Sequence, residues 1–314
     1  MKLSAEATRP PLIDLTDFTI APSGGDETGA ALNSALTGGN VTIQSSAGAS
    51  GTSGNINVDD TVAWSANTLT LNADNNININ SPLNGSGSAS LALQYGQGAS
   101  NGAINGVTAT YNVNAPVNLP AGQHFSTQLG SLGSVVNYTG ITSLGAPTDA
   151  STAPATMSLQ GMAATSSLSG DYALGRNIDA TATSTWNEAG FTPIGNATTP
   201  FTGSFDGLGH SISNLTINRS EKLNVGLFGR TGTGSVIQNV GLVGGNVTGA
   251  ASVGGLVGSN FGTVSNSYAT GSVSGGPCRR CWVWSWARAA TGALRPITRG
   301  SARRAVRSAS RRSR

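Results

Sequence analysis

Short runs in which two apolar residues flank a polar one recur from Asn40 onward. They are Val-Thr-Ile at Val41, Ile-Asn-Val at Ile56, Leu-Thr-Leu at Leu69, Ile-Asn-Ile at Ile77, Leu-Ala-Leu at Leu91 and Ala-Thr-Tyr-Asn-Val from Ala109. This period of two predicts strands with one face buried, and the Gly, Asn and Ser between them predict turns. An antiparallel sandwich gives a similar signal. The strands are very short, however, and Asn recurs beside them at Asn72, Asn75, Asn76, Asn78 and Asn80. Both features favour stacked coils, in which amides hydrogen-bond along the stack as ladders. One helix is predicted, near residues 27–36, with Asp26 as its cap and Gly38-Gly39 as its stop.

Near the C-terminal end the pattern becomes a repeat. Gly226-Leu227-Phe228-Gly229 matches Gly255-Leu256-Val257-Gly258, Ile237-Gln238-Asn239 matches Val264-Ser265-Asn266, and Val247-Thr248-Gly249 matches Val273-Ser274-Gly275. An earlier, weaker copy is Ile212-Ser213-Asn214-Leu215. The spacing of ~25–29 residues is that of one supersecondary unit stacking on the next. A unit so short cannot bury an apolar face alone, so the prediction is an all-β solenoid. The repeat-motif residues Gly226, Leu227, Phe228, Gly229, Asn239, Gly255, Leu256, Val257, Gly258 and Asn266 are given a structural role.

Composition agrees with thin coils. Of 314 residues 44 are Gly, charged residues are 10% and aromatics 5%, which suits tight corners better than a large-residue core. The net charge of +3 conceals a division: up to Gly276 six basic residues (Lys2, Arg9, Arg176, Arg219, Lys222, Arg230) meet all 14 acids, whereas residues 277–314 carry 11 Arg and no acid. The body therefore has no basic footprint for nucleic acid, and no apolar run is long enough for a membrane span. The N-terminal Met-Lys-Leu-Ser-Ala-Glu lacks a signal-peptide hydrophobic region, so the chain as written is expected to stay cytoplasmic.

Candidate chemistry is sparse. His124 and His210 have no companion at metal spacing, and Asp171, Arg176 and Asp179 are the nearest approach to the Asp-plus-Arg set of a polysaccharide-cleaving site, in a context that reads as turns. No cofactor and no catalytic or metal residue is expected. Tyr172, Trp186, Phe191, Phe201 and Phe205 form a local rise in aromatics, read first as core or cap and second as the lining of a carbohydrate groove. Asn-x-Ser/Thr sequons at Asn137, Asn196, Asn214 and Asn246 are read as products of composition.

Four phrases resemble secreted adhesins of the two-partner filamentous haemagglutinin type. They are Asn67–Ser88, Thr110–Gly122, Tyr172–Trp186 and Phe191–Ile217, and the units after Val225 resemble the glycine-rich GLUG motif. The resemblance implies a right-handed parallel β-helix and a non-enzymatic role in attachment. It also implies host or neighbouring-cell surface ligands, an extracellular or outer-membrane location for the parent, and passage of that parent through an outer-membrane secretion pore. The family's Asn-Pro-Asn motif is missing, so the chain is expected to be an internal fragment. The expected organisation is a linker or truncated coil at 1–25, a β-helix with haemagglutinin-type repeats at 26–145, a loop or weakly ordered joint at 146–167, a β-helix with GLUG-type repeats at 168–276 and an irregular basic tail at 277–314. A carbohydrate-active β-helix enzyme and a non-functional truncated product are the alternatives.

The tail breaks every preceding pattern. Its Cys278-Arg-Arg-Cys281 pair has no second pair at zinc spacing. Read from the last base of each codon, Cys281-Trp282 gives Leu, and Trp282-Val283 and Trp286-Ala287 each give Gly. That echo of the repeat makes the tail a frameshifted continuation in this reading.

Overall fold

The structure is a computed structural model that describes residues 15–151 and 157–275. It is mostly strand, with a single α-helix at Gly29–Gly38 among the described residues, and forms a β-solenoid of about 8 turns. The tail lies outside the described residues. The predicted strands at Val41, Ile56, Leu69, Ile77, Leu91 and Tyr111 all form, as Val41–Gln44, Ile56–Val58, Thr68–Asn72, Ile77–Ile79, Ser90–Tyr95 and Tyr111–Val113.

One sheet runs along the whole stack. Val41–Gln44, Thr68–Asn72, Ser90–Tyr95, Gly122–Leu129, Val136–Ile141, Tyr172–Leu174, Ser204–Asp206, Val236–Gln238 and Thr263–Ser265 pair in that order. A second side of the early coils holds Phe18–Ile20, Ile56–Val58, Ile77–Ile79 and Tyr111–Val113, and a third holds Val62–Trp64, Leu83–Gly85 and Val117–Asn118. The strand alternation places like on like: Leu69 on Leu91 and Leu71 on Leu93 in the long sheet, Ile56 on Ile77 and Val58 on Ile79 beside it, all buried. Each such aliphatic side chain contributes about 1.5–3 kcal/mol by leaving water.

The first coil is closed by the helix, whose Leu32 and Leu36 are buried. Its cap is not the expected Asp26. Thr28 accepts the hydrogen bond from the Ala31 N–H, while the Asp26 carboxylate accepts from the N–H groups of Thr19 (2.8 Å) and Ala49 (2.7 Å). A hydroxyl next to the first turn satisfies an orphan donor, and Asp26 lies too early in the chain to do so. In the segment expected as a joint, Leu159 and Met162 are fully buried.

Halfway along, the long sheet reverses. Every pairing in it is parallel except Gly122–Leu129 with Val136–Ile141, where Phe125 faces Tyr138 and Ser126 faces Asn137 in an antiparallel pair. At the same step the core changes sides. Phe125, Tyr138 and Ala173 belong to the cluster built by the early coils, whereas Ile141, Tyr172, Leu174, Phe205 and Ile237 belong to a second cluster. Since successive residues of a strand face opposite ways, the second core lies on the other face of the same sheet. Reversing strand direction alone would reverse the sense of winding. Moving the core to the opposite face in the same step restores it, so both halves coil with one hand.

The first stack needs a lid where it ends, and the second half supplies it. Val117 N–H donates to the Leu208 carbonyl (3.0 Å) and Leu119 N–H to that of Gly175 (3.1 Å), so turns of the second half serve as the next rung for an edge strand of the first. Leu208 is buried in the first core. The Asp206 carboxylate is fully buried and accepts from the Tyr111 hydroxyl (2.5 Å), the Leu208 N–H (2.8 Å) and the amides of Gln238 and Asn239 (both 3.0 Å). Burial pushes its pKa up, against the pull of these hydrogen bonds. His210, also buried, sits 2.9 Å by Nε2 from the Val117 carbonyl, and desolvation pushes its pKa down.

Two predictions follow from this junction. Asp206→Ala leaves Tyr111, Leu208 N–H and two amides short of an acceptor, and denaturant unfolding is expected to show a loss of about 2–4 kcal/mol. For His210 the folded chain resists a proton that the unfolded chain accepts, so stability is lost as pH falls below about 6.5. Melting temperatures at pH 5 and pH 7.5 should therefore differ by less in His210→Gln than in the parent, the contribution of Asp206 being common to both.

Candidate binding surface

Repeating outward positions of the strands stack into rows of polar groups. On the second side of the early coils Thr19, Asn57, Asn78 and Asn112 lie in register. Asn78 donates its amide to Asn57 Oδ1 (2.8 Å), and Asn112 donates to Asn78 Oδ1 (2.8 Å). A parallel row links Asn114 to Asn80 (2.7 Å) and Asn80 to the Asp59 carboxylate (2.8 Å). On the third side Asn118 donates to Asn84 (2.7 Å), and on the long sheet Asn72 donates to Gln94 Oε1 (2.7 Å). Of the five Asn expected to form ladders, Asn72, Asn78 and Asn80 do so. Asn76 instead accepts from the Thr110 N–H (2.8 Å), holding the turn into the next coil, and Asn75 makes only backbone bonds in this region.

The mid-row amides Asn78 and Asn80 each spend one donor and one acceptor on their neighbours and keep a second N–H and a second lone pair for solvent or a ligand. The result is a surface of amides, with the Asp59 carboxylate at the end of one row, whose donors and acceptors repeat at the strand spacing of roughly 4.8 Å. Such a surface offers hydrogen bonds to a polymer with its own hydroxyl repeat. It offers no nucleophile and no strong field.

The repeat-motif residues build the second half. Phe228 pairs with Val257, Ile237 with Val264 and Val247 with Val273, so the sequence repeat coincides with the strand register. Leu227 and Phe228 are fully buried, Phe228 against Phe201 (5.1 Å) and Phe205 (5.3 Å), and Leu256 is buried beneath the last described coil. The glycines stand where neighbouring backbone approaches. A Cβ on Gly229 would lie 2.4 Å from the Gly195 carbonyl oxygen, and one on Gly258 would lie 2.6 Å from the Val225 nitrogen. Asn239 and Asn266 turn coil corners with φ of 55° and 47°, and only Asn239 also reaches the junction, through Asp206. The weaker copy at Ile212 occupies another corner: Ile212 pairs with Leu242, and the residue stacked on Ile237 is Phe205. The two corners look alike in sequence because Asn214 also takes a left-handed turn, with φ of 59°.

The candidate catalytic set is dispersed among local partners. Asp171 accepts from the Ser204 N–H (3.0 Å), Asp179 from the Thr181 N–H (3.0 Å) and hydroxyl, and Arg176 lines a crevice at the junction. These Thr181 bonds hold the exposed Asp179 carboxyl below its ordinary pKa. His124 contacts Ser90 Oγ (3.1 Å). Among the described residues no group of three or more His, Cys, Asp or Glu could hold a metal, and no helix is long and apolar enough to cross a membrane. Phe191, Phe201 and Phe205 are fully buried, Tyr172 is buried and Trp186 packs against them partly buried, so these rings belong to the second core. The junction role of Asp206 and of His210, the latter weighed in the sequence only as a metal ligand, was not foreseen. Their phrase, Phe-Asp-Gly-Leu-Gly-His, reads locally as a turn, and the partners Tyr111 and Val117 are remote in sequence.

Residues 249–274 match the GLUG motif. They span the last described coil, from the end of the Asn246–Val253 strand through Gly-Leu-Val-Gly to Ser272–Gly275. The chain is similar to halomucin of Haloquadratum walsbyi, with 50% identity over 110 residues, 33% of this chain and 1% of that protein. It is also similar to a protein named as a Gly-rich membrane protein in Evansella cellulosilytica, with 37% identity over 98 residues, 30% of this chain and 11% of that protein. The chain thus spans a small part of each relative. No solved structure matches.

The glycine geometry gives a direct test. Gly258→Val is expected to lower the melting temperature by several degrees, since the added side chain meets backbone on two sides, whereas Ser259→Val in the next position should change it little. Thermal unfolding followed by circular dichroism reads both.

Proposed function

We propose that the chain is a non-enzymatic piece of a surface repeat protein that attaches through its polar ladder faces, in the manner of a filamentous haemagglutinin-type adhesin. The observation that carries this reading is the in-register Asn57–Asn78–Asn112 row, whose amides bond to each other and keep further donors and acceptors that the row does not use. The GLUG motif and the named relatives support a repetitive protein of the cell exterior. Affinity in this arrangement comes from many weak contacts made at once along the stack. The parent protein would act outside the cell, exported through an outer-membrane pore and engaging ligands on host or neighbouring cells.

Beads coated with the full chain should bind target cells or an immobilised neutral polysaccharide. The double variant Asn78→Leu with Asn112→Leu, which keeps strand packing but removes the outward amides, should reduce that binding at least tenfold at unchanged melting temperature. Full binding by the double variant, or turnover of a polysaccharide by the parent chain, would refute the reading.

A further inference from the structure

Where the two halves meet, the third side of the first stack and the opening turns of the second enclose an open crevice of about 590 Å³. Its volume falls in the range of small-ligand sites, roughly 300–1,000 Å³. One wall is Gly85–Gly87 and Asn118–Ala121, and the other is Thr142 with Gly175–Asn177. Space persists there because glycine lines it at two close approaches. A Cβ on Gly175 would lie 2.2 Å from the Leu119 carbonyl oxygen, and one on Gly85 would lie 2.9 Å from the Leu119 side chain. The floor is tied by the Leu119 N–H bond to the Gly175 carbonyl, so the two walls belong to one hydrogen-bonded unit.

The polar groups at this crevice are unusual for the molecule. Arg176 is its one charged lining residue, and no hydrogen bond or ion pair engages the guanidinium among the described residues. The amide ladder of the third side ends here: Asn118 spends its N–H on Asn84 and presents its oxygen at the free end of the row. The exposed Asn177 accepts at Oδ1 from the Ser211 N–H (2.9 Å) and lies 3.3 Å by the same atom from His210 Nδ1, and its NH₂ has no partner among the described residues. A guanidinium pairs a carboxylate through two parallel N–H···O bonds, and the exposed Arg176 side chain has its donors free for one. Flanking amide and hydroxyl groups suit the hydroxyls of a sugar ring, and Leu119 and Pro120 provide an apolar wall for its C–H face.

We propose that this crevice is a binding site for a carboxylate-bearing sugar unit, with Arg176 taking the carboxylate and Asn118, Asn177 and Thr142 taking ring hydroxyls. No lining carboxylate is present to act as acid or base, so the site binds without cleaving. The proposal goes beyond the ladder-face reading: it shares Asn118 with the third-side ladder and uses none of the Asn57–Asn78–Asn112 row.

Calorimetric titration of the full chain tests it with three probes: a glucuronate-containing disaccharide, the neutral disaccharide of the same linkage, and acetate. The acidic disaccharide should bind at least tenfold more tightly than either of the others. Arg176→Gln should abolish that preference, and Ala121→Trp, at an exposed position on the rim, should abolish binding by filling the crevice. Both variants should melt with the parent chain. Equal affinity for the neutral disaccharide, acetate binding as tight as the acidic disaccharide, undiminished binding by Arg176→Gln, or no binding of the acidic disaccharide at all would each overturn the proposal. Because Asn78 and Asn112 lie outside the crevice, the double leucine variant should keep this affinity, which separates failure here from failure of the attachment reading.

Discussion

A coil of this chain cannot satisfy its own backbone. Its strands are two to ten residues long, and apart from the local hairpin of Ala103–Ile104 with Val107–Thr108 each finds its partner strand in the coil before or after. Register between coils is therefore the constraint on which everything else depends. Once Leu69 lies on Leu91 and Ile56 on Ile77, the aliphatic columns fall inside, the amide rows fall outside, and the glycines of the repeat fall where backbones touch. A shift by one residue would exchange inside for outside along a whole strand.

The same constraint explains the junction. When the first stack stops, its last edge still carries donors and acceptors that need a partner, and its core still needs a cover. The antiparallel turn at Gly122–Leu129 and Val136–Ile141 lets the chain carry the long sheet onward while beginning a second core on its other face. The turn at Gly207–His210 then closes the first core. A buried carboxylate with four neutral donors is a costly way to hold such a joint, yet it fixes geometry among three separate coils: Tyr111 from the first stack, Asp206 and Leu208 from one coil of the second, Gln238 and Asn239 from the next.

Much of the coil was legible in the sequence. Pairs such as Ile77 and Ile79 mark a strand because one polar residue separates two buried ones, and the alignment of Gly226–Gly229 on Gly255–Gly258 anticipates the observed pairing. The third side was not legible, since Val62–Trp64, Leu83–Gly85 and Val117–Asn118 offer too few inward residues to show a period. The reversal was invisible as well. Tyr138 and Ile141 belong to opposite cores, and nothing in their local spacing says which face each will serve. The glycine motif was recognisable because close backbone approach demands a particular residue. The crevice beside Arg176 was not, because two parts of the chain with no resemblance to each other create it.

The change of face at the midpoint also sets how the protein meets its surroundings. The outer face of the long sheet in the first half, bearing Thr42, Thr70 and Ser126, continues as the face that the second core covers. The molecule is consequently a two-sided rod, bulging to one side and then to the other, and an approaching surface meets a different flank at each end. A partner broad enough to span both halves would have to follow that step.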